Sequence, residues 1–193
     1  MKYSLECQVL SNIFIGQTIK IIEAEKEFTF KPNEKGILSK IQITKRITNA
    51  ENLLPEIKRK ENSPMHIVLN EDPILRKEII SDFQYLEGHI GLIANLTKIF
   101  WNEPSVEWIP ETEEEKNRLQ VFSAHFGREF SNQPSKFNID IVKSIIKNKP
   151  NRNSLTVLMA FYRDGKVFFD TSKFIVAFYD FYYIIEDLFG NGA

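Results

Sequence analysis

Cysteine is nearly missing: Cys7 is the single thiol in 193 residues, which excludes an internal disulfide framework. Histidine is limited to His66, His89 and His125, remote from one another and without a His or Cys neighbour at metal-ligand spacing. The expectation is a chain with no metal and no cofactor. The 8 glycines nowhere cluster into a phosphate-binding loop of the P-loop or dinucleotide type. Neither sign of charge prevails, with 25 basic against 26 acidic side chains, which excludes a histone-like or ribosomal-tail balance. No apolar run is long enough to span a bilayer, since the aromatic stretch near 174–189 is broken by Asp180. Lys2 and Glu6 bracket the first apolar residues and no secretory core follows them, so a cytoplasmic location is expected.

What is present is material for a core: 42% hydrophobic residues and 16 Phe. The charge is unevenly laid out, with an acidic middle over 61–130 between two mildly basic flanks. Tyr3, Leu5, Cys7 and Val9 alternate with Lys2, Ser4, Glu6 and Gln8, the period of a half-buried strand. Residues 18–30 and 37–47 read as a hairpin bent by Pro32 and Gly36. Asn49 to Lys60 reads as a short helix and Met65 to Leu69 as a strand. Asp72 as N-cap and Pro73 at the first helical position open the clearest helix. Leu75, Ile79, Phe83, Leu86, Ile90 and Ile93 form its apolar stripe, and Gly88 and Gly91, each costing about 1 kcal/mol against Ala, mark a close approach of a neighbour. Thr97 to Trp101 and Val106 to Ile109 suggest a second hairpin, and Glu111 to Phe126 a helix with an acidic start.

Ser131 to Lys136 reads as a linker, dividing a mixed unit over 1–130 from a helical segment over 137–193. Ile139 to Lys147 is an amphipathic helix. Ser154 to Arg163 fits either a helix ended by Gly165 or one arm of a hairpin turned at Asp164-Gly165, and helix is preferred. The last helix, with Ser172 as N-cap and Gly190 as terminator, is apolar around nearly its whole circumference. Burying one large apolar side chain gains roughly 1.5–3 kcal/mol, so leaving half of these in water forfeits on the order of 10 kcal/mol. Three outcomes follow: internal burial, a partner over the face, or a domain that continues beyond Ala193. The expected interface residues are Phe174, Phe178, Phe181, Tyr182, Ile185 and Phe189.

The segment Leu158-Met159-Ala160-Phe161-Tyr162-Arg163-Asp164-Gly165, followed by Phe178-Tyr179-Asp180-Phe181-Tyr182-Tyr183-Ile184-Ile185-Glu186, resembles the paired helices that open HEPN-type domains of bacterial proteins. It covers residues 154–190. The resemblance implies an all-helical, often dimeric domain, found in RNA-cleaving toxins and antiviral proteins and in catalytically silent relatives. The family's ribonucleases use an Arg and a His with four to six residues between them, usually on a later helix, and no His follows His125 here. Arg118 and His125, with six residues between them, are the one formal match and lie upstream of the resembling helices. Lys143, Lys147, Lys149 and Arg152 form the densest basic cluster and the candidate RNA contact. The combined expectation is an α+β chain: N-terminal antiparallel strands with a long amphipathic helix, then a helical segment like the start of a HEPN-type bundle. Its expected role is a non-catalytic or incomplete module of an RNA-directed defence or toxin-related protein, forming a homodimer. The alternative is a protein-interaction module that docks a partner helix on its aromatic C-terminal helix, with no nucleic-acid role.

Overall fold

The computed structural model describes residues 1–47, 54, 56–58, 66–68, 73–94, 96–119, 122–124, 135–136, 138–148 and 155–190. The fold is α+β. Strand β1 (Lys2–Ser11) is the centre of an antiparallel sheet, with β5 (Leu38–Arg46) along one side, followed outward by β4 (Lys26–Pro32) and β3 (Ile19–Glu23). Its other side is shared end to end by β9 (Ser105–Ile109), against Lys2–Glu6, and β8 (Leu96–Ile99), against Val9–Ser11.

The alternation in β1 does what its period requires. Tyr3, Leu5, Cys7 and Val9 are buried on one face, and the register carries that row across the sheet. Leu5 stands opposite Ile43 and Val106, Cys7 opposite Ile41, Ile43 opposite Phe28, and Tyr3 opposite Trp108, whose ring it meets edge-on at 5.9 Å. Burial pushes the Cys7 thiol well above its ordinary range, as suits a packed hydrophobe rather than a nucleophile.

Helix α1 (Pro73–Ala94) packs Leu75, Ile79, Phe83, Leu86 and Ile90 into the same core. Its stripe stops there, because Ile93, expected on it, is exposed. The helix is also fixed to the sheet by charge: Lys26 Nζ donates to Asp82 Oδ2 at 2.6 Å and pairs with Glu78 at 2.7 Å, and Lys45 Nζ donates to Glu78 Oε2 at 2.9 Å. Burial alone would pull Lys26 down, but the bonds to Asp82 and Glu78 more than offset it and hold the ammonium above its usual value.

Further expectations are corrected. The hairpin of 18–30 with 37–47 forms through β4 and β5, but residues 18–30 are two strands, since Ala24 turns at a φ of 52° between β3 and β4. Glu56–Lys58 is a strand, β6, paired with β7 (His66–Val68), not part of a helix; Asp72 and residues 49–53 lie outside the described residues. Segments β8 and β9 do not pair with each other, because both satisfy their backbone groups on β1. The helix expected over 111–126 is the six-residue α2 (Glu113–Arg118): Leu119 is extended and Ser123–Ala124, β10, joins β9. Ser135–Lys136, read as linker, is the strand β11, which pairs in parallel with β2 (Ile13–Phe14).

Helix α3 (Ile139–Lys147) is capped by Asn138, whose side-chain oxygen accepts from the Asp140 and Ile141 N–H groups. Its Val142, Ile145 and Ile146 enter the core, and Tyr85 Oη of α1 donates to the Ile145 carbonyl at 3.1 Å. Helix α4 (Thr156–Asp170) lies on α1, and α5 (Phe174–Phe189) folds back on α4. Gly165 does not end α4, which runs five residues further. Ser172 does not cap α5, because it sits in the turn at a φ of 62° and Lys173 takes the cap position without a side-chain bond. Among the described residues no helix is long and apolar enough to cross a membrane.

Candidate functional site

The seat of α4 on α1 is built from two glycines and one ion pair. A Cβ on Gly88 would come within 2.8 Å of the Met159 Cβ, and one on Gly91 within 3.0 Å of the Leu96 carbonyl, so both sites require glycine for the approach they were expected to mark. Tyr162 Oη then donates to the Gly91 carbonyl at 3.2 Å. Arg163 reaches down from α4, with Nε 3.4 Å from Glu87 Oε2, and donates through Nη1 to the Gln84 carbonyl at 3.2 Å. Glu87 also accepts from the Ile99 N–H at 2.7 Å and from Trp101 Nε1 at 3.2 Å. Burial pushes its carboxyl up, and these donors lower it only in part. The arginine of the Phe-Tyr-Arg-Asp-Gly segment is thus an anchor inside the fold.

Between α4 and α5 the same device recurs. A Cβ on Gly165 would meet the Phe181 ring at 2.8 Å and the Asp180 Cβ at 3.0 Å. Ala177 is buried, Phe181 lies near Tyr162 with ring centroids 6.3 Å apart, and Tyr183 lies 5.3 Å from Phe161. Asp180 Oδ2 is buried there without a hydrogen-bond partner, and burial together with the nearby Asp164 pushes that carboxyl up.

The rest of α5 is uncovered. Ile175, Phe178, Tyr182, Ile185 and Phe189 follow one another at spacings of three, four, three and four residues and are 48–76% exposed. That spacing places them in one row along the helix, the pattern of a seam that packs against another helix. The row itself holds no charged residue, and the exposed Glu186 lies beside it, four residues after Tyr182 and three before Phe189. Phe174, Tyr179 and Tyr183 flank it, also exposed, and Phe174 closes edge-on against Phe169 of α4 at 5.4 Å. Of the six residues expected at an interface, Phe174, Phe178, Tyr182, Ile185 and Phe189 stand on the open side, whereas Phe181 is turned toward α4. Ile175 and Tyr179 were missed. The signal for Ile175 was the three-four spacing to Phe178 and Tyr182.

No family model, curated protein or solved structure matches this chain.

The other candidates do not assemble with this face. Arg118 closes α2 with its guanidinium 2.6 Å from Glu114, and His125 lies outside the described residues. Lys143 and Lys147 stand exposed on α3, with Lys143 Nζ 3.5 Å from Asp140; Lys149 and Arg152 lie outside the described residues. His89 is buried, its Nδ1 bonded with the Tyr85 carbonyl at 2.9 Å. Among the described residues no three His, Cys, Asp or Glu side chains converge on a point that would hold a metal ion.

Proposed function

We propose that this protein is a non-catalytic docking module whose α4–α5 hairpin offers the outer face of α5 to another helical surface. One observation carries the reading: a charge-free row of five large apolar side chains is exposed along a helix whose other side is already satisfied by α4. An exposed apolar patch of that size is rare on a chain with no partner. A row at three-four spacing suits ridges-into-grooves packing with a helix better than contact with a small molecule, which needs a concave site. In the HEPN-like form of this reading, supported by the sequence resemblance, the module belongs to an RNA-directed defence or toxin-related protein and Lys143 and Lys147 are its RNA contacts. The docking role itself requires no nucleic acid.

A double substitution, Phe178→Glu with Ile185→Glu, tests the reading at dilutions where light scattering gives the mass of one chain. The thermal midpoint is expected to move by no more than about 2–4 °C, the shift that about 1 kcal/mol causes in a chain of this length. Most binding of a hydrophobic fluorescent dye is expected to vanish. A loss of about 3 kcal/mol or more, as for truncation of a core residue, would show the face to be part of the fold and end the reading.

A further inference from the structure

Resting on that docking role, we infer that the surface covering α5 is α5 of a second copy of this chain, laid against it in antiparallel direction about a two-fold axis near Tyr182. Three observations lead there.

The first is the order of residues in the row. Reversing the helix about Tyr182 sets Ile175 toward Phe189 and Tyr182 toward Tyr182 of the other copy, with Phe178 and Ile185 near each other at an offset of one residue, about 1.5 Å along the axis. Each phenylalanine then meets an isoleucine, so large and smaller side chains alternate across the contact and can interdigitate. Parallel pairing instead stacks Phe on Phe and Ile on Ile.

The second is area. The six aromatic rings on the open side, Phe174, Phe178, Tyr179, Tyr182, Tyr183 and Phe189, are 46–74% exposed. At roughly 150–250 Å² for each whole ring, on the order of 700 Å² of aromatic surface is in water. A standard stable interface takes about 800 Å² from each partner, which the isoleucines of the row bring within reach.

The third is the distribution of charge at the two ends. Glu186 and Asp187 stand in the last turn of α5, where the helix macrodipole is also negative, whereas Lys173 at its start lies over the Phe168 ring of its own α4 at 5.7 Å. Parallel pairing brings the two acidic ends together. Antiparallel pairing lays each acidic end beside the positive dipole end of the other copy's α5.

Sedimentation equilibrium of the full chain tests the stoichiometry, and crosslinking tests the direction. The wild type is expected to give twice the chain mass well below about 100 µM, since interfaces near this size bind in the micromolar range or tighter. Phe178→Glu with Ile185→Glu should weaken association at least 100-fold. In an equimolar mixture of Ile175→Cys and Phe189→Cys chains, antiparallel pairing gives a mixed disulfide joining one chain of each kind, and parallel pairing gives like joined to like. A single-chain mass up to about 100 µM, or like-with-like disulfides only, overturns the inference. If the wild type is monomeric while the double Glu variant keeps its midpoint and loses dye binding, the second copy is excluded and the docking role stands. If the double variant loses the stability of a core residue, both fall.

Discussion

Glu87→Ala is expected to lower the unfolding free energy by about 3–5 kcal/mol, because it leaves a buried charged partner and two further donors without their acceptor. The three donors are the Ile99 N–H, the Trp101 indole and the Arg163 guanidinium, drawn from β8, the turn after it and α4. One carboxylate therefore ties three segments to α1. Glu87→Gln is expected to be milder, since it keeps one acceptor oxygen and removes the cost of burying a charge. Chemical denaturation of both variants and of Arg163→Ala, with the Glu87/Arg163 double variant, isolates the coupling. The pH dependence has a definite sign. Burial raises the carboxyl in the folded state, so the penalty for its charge is present above the folded value and is relieved as pH falls through it. The stability difference between wild type and Glu87→Gln should shift in favour of wild type on acidification. A loss below about 1 kcal/mol for Glu87→Ala would mean that water satisfies these donors and that α4 is not held as described.

Gly88→Leu is expected to cost about 2–3 kcal/mol, at the upper end of overpacking effects. The obstruction is the Met159 Cβ at 2.8 Å, an atom that moves only with the α4 backbone, so the helix as a whole must lift off α1. Helix propensity works the other way, since leaving glycine regains nearly 1 kcal/mol, and a net loss therefore understates the clash. The measurement is the denaturation midpoint together with hydrogen exchange of α4. Unchanged stability with unchanged protection would contradict the close crossing of α1 and α4.

The parts of this fold that were legible in the sequence are those set by local periodicity. The alternation of Tyr3, Leu5, Cys7 and Val9 fixed the buried face of β1, and the stripe from Leu75 to Ile90 fixed that of α1. What was not legible depends on pairing between distant segments. Segments 97–101 and 106–109 look like the arms of a hairpin, yet β1 offers each of them a ladder, and periodicity does not say which partner wins. Leu119 and Phe122 continue a helical spacing after the acidic start of α2, but Trp108 N–H donates to the Phe122 carbonyl at 2.8 Å and draws that stretch to the sheet. Gly165 resembled a helix terminator because a glycine needed for packing and one needed for turning look alike in a sequence; only the Phe181 ring against it separates the two.

The candidate face was legible in substance and not in detail. An all-round apolar helix announces that one layer of neighbours is insufficient, and among the described residues α4 is the element that packs on it most extensively. Which arc α4 takes depends on Gly165 and Ala177, whose small size the apolar pattern does not weigh, and for that reason Phe181 was placed with the interface and Ile175 was not.

Hydroxyl-radical footprinting of the full chain tests the exposed face most directly. At dilutions giving single-chain mass, Phe178, Tyr182, Ile185 and Phe189 are expected to be oxidised nearly as fast as in the denatured chain, while Phe30, Phe83 and Trp108 stay protected, and the α5 residues should become protected as concentration rises. Protection of the α5 residues equal to that of Phe83 at every dilution would contradict the account.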